Sequence, residues 1–150
     1  MLLRSIELNH PMHSQATGAL NVLLEGDDEV CLTTQNLFEF WNVCTRPLNR
    51  NGLGMTVTQT DAELNRLERL FSVLSDSSAL YPEWRRLVTK YSVMGVQVHD
   101  TRLVAAMLVH GITHLLTFNT SDFKRFSEIT LIHPSDIFPE NINFRLTSDL

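Results

Sequence analysis

Residues 103–109, "LVAAMLV", are apolar on every side when wound as a helix. A helix with one apolar stripe covers one surface, but a helix apolar all round has to be buried among several elements. The run is far too short to cross a membrane, so it belongs in the core of a globular fold. It stops before Gly111, and "THLLTF" (113–118) and "EITLIHP" (128–134) then read as strands, the second ended by Pro134.

Upstream, the same alternation of helix and strand recurs. "MHSQATGALNVLLEG" (12–26) predicts a helix closed by Gly26, and "EVCLT" (29–33) a β-rich strand. "TQNLFEFWNVCTR" (34–46) is amphipathic, with Leu37, Phe40, Trp41 and Cys44 on one stripe and Gln35, Glu39, Asn42 and Arg46 on the other. After a loop with Pro47, Gly52 and Gly54, a helix capped near Thr58 leads to "SVLSD" (72–76), a short strand. "SALYPEWRRLVTKYSV" (78–93) is a further helix, with Pro82 in its first turn. Strands alternating with helices predict a three-layer α/β/α sandwich around a mostly parallel central sheet. Residues 1–138 are expected to form the one domain, and 139–150, "PENINFRLTSDL", a peripheral tail.

The formal net charge is −5, so no overall positive field draws nucleic acid in, and any phosphate contact has to come from a local patch. Arg46, Arg102 and Lys124 are the cations nearest in sequence to the acids considered below. Cys31 and Cys44 lack metal-ligand spacing and sit in apolar runs, which suits two small buried hydrophobes in a reducing compartment. "MLLRSIELNHPMH" is too short in apolar residues for a signal peptide, so a soluble cytoplasmic domain is expected. There is neither a Gly-rich phosphate loop nor a nucleophile turn. The histidines read as structural or solvated, apart from His99, which adjoins Asp100.

In parallel sheets, sites form outside the carboxyl ends of the strands. Three acids are placed to meet there. Asp100 heads the buried helix, Asp122 follows the 113–118 strand, and Glu39 lies in the helix that follows the 29–33 strand. Each has a plain structural reading. Asp100 suits a helix N-terminus, Asp122 suits the cap of the "DFKRF" turn, and Glu39 lies on a polar stripe that faces water in most helices. Taken together, acids without nearby thiol ligands suit a hard cation, Mg2+ or Mn2+, that activates a water and stabilises a phosphoryl oxygen. Asn119 is placed to orient a carboxylate or contact a phosphate.

Three stretches carry a resemblance to a known family: "LTTQNLFEFWNVCTRPLNRNGLGM", "VHDTRLVAAMLVHGITHLLTFNTSDFKRF" and "ITLIHPSDI". They resemble the PIN domain, and within it the VapC-type toxins of bacterial toxin–antitoxin pairs. The resemblance implies a metal-dependent endoribonuclease using Mg2+ or Mn2+, with RNA as substrate, a VapB-like antitoxin protein as partner, and a homodimer. It makes Glu39, Asp100 and Asp122 the catalytic and metal-binding acids, and it lines their pocket with Asn119 and Thr117. Arg102, close in sequence to Asp100, is the expected substrate contact on charge alone. The chain departs from the family pattern at its start. Family members open with a strand ending in Asp, which lies at the centre of the sheet; here "MLLRS" begins after that point. The expectation is therefore a sheet whose first strand is missing, two strands left without a partner, and a chain from Met1 that binds Mg2+ or Mn2+ poorly and cleaves no RNA above background. The alternative function is a catalytically incomplete remnant of the fold that serves only as a protein-binding module.

Overall fold

A computed structural model describes residues 1–137 and, for the backbone alone, residues 145–148. The first two helices are α1 (Leu2–Ile6) and α2 (His13–Glu25), followed by strand β1 (Glu29–Thr33) and α3 (Thr34–Thr45). Helix α4 (Val57–Leu70) leads to β2 (Ser72–Leu74), α5 (Leu80–Lys90) and α6 (Gln97–Val109). The chain continues through β3 (His114–Leu116), α7 (Thr120–Phe123), β4 (Thr130–Ile132) and β5 (Arg145–Ser148). The strands form one sheet in the order β2-β1-β5-β3-β4, and every neighbouring pair is parallel.

The parallel sheet agrees with the sequence reading, but its centre does not. The central position is filled, by β5. Leu146 stands opposite Val30 of β1 on one side and His114 of β3 on the other, and Thr147 opposite Cys31 and Leu115. The two strands expected to lack a partner are thus paired, and residues 145–148, taken as part of a peripheral tail, lie inside the sheet. The rest of that tail lies outside the described residues. "RLTS" carries little strand signal because the middle strand of a parallel sheet is expected to be a continuous apolar run, and here only Leu146 is apolar.

The strands divide the core in two. Successive side chains of a strand point to opposite faces, and here Val30 and Leu32 join one apolar cluster while Cys31 joins another. Leu116 and Leu115 divide in the same way. The first cluster is built from α1–α4, with Leu2, Leu23, Phe40 and Leu67 at its heart. The second is built around α6, where Thr101 and the run Leu103–Met107 are buried, packed against α5, α7 and β1. Leu108 and Val109 are only half-buried, so the all-round burial expected of "LVAAMLV" holds for its first five residues. Gly111, at φ 70, makes the left-handed turn that ends this helix. Helix α4 starts two residues earlier than its sequence suggests. Thr56 and Gln59 form the capping box, although Thr58 and Asp61 offer the same spacing. Both cysteines are buried thiols outside any disulfide. Burial, then Glu63 and Glu7, push the Cys44 thiol up to about 11, so it stays protonated and packs as a hydrophobe.

One polar knot closes the second cluster. Glu128, in the loop before β4, accepts hydrogen bonds from Lys90 at 2.8 Å and from the Tyr91 hydroxyl at 2.6 Å, and pairs with Arg86 at 3.4 Å. Burial pushes its carboxyl up, but the Lys90 and Tyr91 hydrogen bonds outweigh this and hold its pKa at about 2, below the ordinary 4.5. A lowered carboxyl pKa contributes stability that is complete above the unfolded value and is lost as the pH falls through the folded one. Glu128→Gln is therefore expected to make the fall of Tm between about pH 4.5 and about pH 2 shallower than in the parent, measured by thermal denaturation across that window. An unchanged slope would show that the knot contributes nothing.

Candidate active site at the carboxyl edge of the sheet

Thr33 ends β1 and caps α3. Its hydroxyl accepts from the Asn36 N–H, and the Asn36 side chain accepts from the Thr33 N–H at 2.7 Å. This reciprocal box fixes the first turn of α3 against the sheet and so places Gln35 and Glu39, one turn apart, above the carboxyl edge. Gln35 is buried, with 8% of its surface exposed. Its amide donates to Glu39 Oε1 at 2.7 Å and to the His99 carbonyl at 2.9 Å, and its own oxygen accepts from Arg102 at 3.0 Å. One side chain thus joins the Glu39 carboxylate to the residue just before Asp100.

Asp100 is the one acid in the first turn of α6, whose N-cap is Val96. The helix begins at Gln97, two to three residues before the start expected from sequence, and Asp100 is half-buried rather than at the very tip. Its charge still complements the exposed N–H groups of that turn. His99, singled out in the sequence, is exposed and takes part through its backbone carbonyl.

Beyond β3, the Thr117 side chain is fully buried and its hydroxyl accepts from the Asn119 N–H at 2.9 Å. The Asn119 amide donates to Asp122, and Ser121 donates to Asn119 at 2.8 Å. Asp122 and Asn119 are both exposed. The strand ends therefore bring together two groupings: Glu39 with the start of α6, and Asn119 with Asp122. Among the described residues, no three His, Cys, Asp or Glu side chains stand close enough to hold a metal ion between them.

A further acid, Asp76, escaped the sequence reading. It lies two residues past β2, where it accepts from Thr34 at 2.8 Å and pairs with Arg102. The only signal for it was its place after the short "SVL" strand. Arg102, expected as a substrate contact, thus has its guanidinium held by Asp76 and Gln35.

The donors present are carboxylate and amide oxygens, which suit a hard cation. Mg2+ keeps several of its waters and needs one or two carboxylates from the protein. Glu39 and Asp100 meet that requirement in chemistry without a third acid beside them.

A family model, that of the PIN domain, matches residues 2–129. Strands β4 and β5 lie beyond the matched residues. No curated protein matches the chain.

Proposed function

The chain belongs to the PIN domain family, and on that premise we propose a metal-dependent endoribonuclease, the toxin component of a VapC-like type II toxin–antitoxin pair. PIN domains are generally nucleases that act on nucleic acids with divalent metal ions. The observation that carries the reading for this chain is the Gln35 bridge, which sets Glu39 beside the first turn of α6.

In this reading Glu39 and Asp100 hold Mg2+ or Mn2+, with Asp122 facing the same substrate. A cation held there would supply an activated water and neutralise charge on the phosphoryl oxygens. Gln35 holds the Glu39 carboxylate in place, and its second hydrogen bond keeps α3 and α6 from drifting apart. Asn119 restrains Asp122 and is placed, with Thr117 behind it, to contact the substrate backbone. Arg102, fixed by Asp76, offers its charge to a phosphate from a set position. The two core clusters are read as the helical layers of an α/β/α sandwich, a single domain that takes in β5 together with residues 1–138. A VapB-like antitoxin, a homodimer and a cytoplasmic setting come with the VapC-like assignment. Among the described residues, no helix is long and apolar enough to cross a membrane.

The test is cleavage of a mixed RNA pool by the purified chain, with Mg2+ or Mn2+ and then with a chelator. Cleavage that requires the cation is expected, against the weak cation binding inferred from the start of the sequence, because β5 fills the centre of the sheet and keeps the strand ends that carry these acids in place. Absence of cleavage in every cation would favour the alternative, a PIN fold that serves only as a protein-binding module.

A further inference from the structure

Tyr81 lies on α5 with 63% of its surface exposed, an unusual setting for a large ring. It is not loose. Its ring stacks on that of Trp84, with centroids 5.9 Å apart and planes inclined by 29°. Trp84 is itself fixed, because its indole N–H donates to the Val98 carbonyl in the first turn of α6 at 3.0 Å. The surface therefore carries a flat aromatic step, backed by a second ring that is anchored beside the helix start bearing Asp100.

Two hollows meet at this step. One, of about 290 Å³, is shared by Tyr81 and Trp84 with Asp76 and Arg102. Arg102 donates to Gln35, and Gln35 to Glu39, so this hollow is separated from the candidate carboxylates by one layer of side chains. The other, more open, is lined by Tyr81 together with Arg85, Arg86 and Lys90. Arg86 and Lys90 are engaged by Glu128, whereas the Arg85 side chain makes no hydrogen bond or ion pair with any described residue. An uncharged planar step with the cation Arg85 on one side suits a single strand, in which a flat base is followed by an anionic phosphate, and on the other side the Asp76 carboxylate is paired with Arg102. On a chain of net charge −5, a local arrangement of this kind is what would hold RNA.

We propose that Tyr81, backed by Trp84, is a stacking platform for an unpaired base of a single-stranded RNA substrate, flanking the phosphate presented to Glu39 and Asp100; this rests on the nuclease reading above. A paired base has its faces covered by its neighbours and cannot use such a step, so the platform selects single-stranded RNA over duplex.

The test measures affinity rather than cleavage. In the full chain carrying Glu39→Gln, binding of a labelled oligouridine of about 12 nucleotides is followed by fluorescence anisotropy, with an RNA duplex of the same length in parallel. Tyr81→Ala and Tyr81→Leu are expected to weaken single-strand binding by about 5- to 100-fold. Tyr81→Phe, which keeps the ring, should stay within about twofold, and the duplex should be indifferent to all three. Equal affinity in Tyr81→Ala, full affinity in Tyr81→Leu, or an equal loss on the duplex would each overturn the platform. If Tyr81→Ala is made in the otherwise unaltered chain and that chain cleaves RNA as before, the platform falls and the nuclease stands. If the parent neither binds nor cleaves single-stranded RNA, both fall together.

Discussion

Asp100→Asn is expected to abolish RNA cleavage in Mg2+ or Mn2+ while leaving the fold intact. The substitution keeps the size of the side chain and removes the charge that attracts a hard cation. Asp100 is half-buried in the first turn of α6 and joins the helix at its wettest end, away from the packed run Leu103–Met107. Losing an acid there costs at most about 0.3–1 kcal/mol of helix stability, small against a domain's usual margin of about 5–15 kcal/mol. The loss of activity should be far larger, on the order of 100-fold or more, because both the activated water and the charge neutralisation depend on the bound cation. Cleavage of an RNA pool, read beside the circular dichroism spectrum, separates the two effects. Undiminished cleavage would remove Asp100 from the site.

Removing residues 139–150 is expected to unfold the protein or to lower its Tm by at least about 6 °C. This deletion takes out β5, the middle strand of the sheet, and leaves β1 and β3 as edges facing each other across a gap. Six residue pairings disappear, three with β1 and three with β3. At about 0.5–1.5 kcal/mol net per hydrogen bond and one bond per pairing, the loss comes to roughly 3–9 kcal/mol. For a chain of this size each kcal/mol is worth about 2–4 °C. Thr147→Pro is the milder test, since it strikes one residue that lies opposite both Cys31 and Leu115 and removes its N–H from the middle of the sheet. A deletion variant with the parent's Tm would mean that β5 is not part of the folded sheet in solution.

How much of this was legible in the sequence depended on the range of the interaction. The buried helix declared itself through local composition alone, and so did β1, whose Val30, Cys31 and Leu32 are all buried. The acids at the strand ends followed from a general rule about parallel sheets. Gln35 did not, because it shares the polar stripe of α3 with Glu39 and such a stripe looks solvent-facing until the partner is known. Its partners, His99 and Arg102, are more than sixty residues away in the chain. Asp76 was hidden for a similar reason, since its role is to pair with Arg102 across the sheet edge. The position of β5 was the hardest to see. Which strand lies between which others is set by non-local pairing, and a four-residue strand near a chain end has almost no local signal of its own.

The central claim is that Glu39 and Asp100 form one cation site, and a double-mutant cycle on Mn2+ binding tests it most directly. Affinity is measured by titration for the parent, Glu39→Gln, Asp100→Asn and the double variant. If the two acids hold one ion, each single substitution weakens binding, and the double variant is little worse than the weaker single. Binding that is unchanged in either single variant, or losses that simply add as they would for two separate sites, would contradict the account.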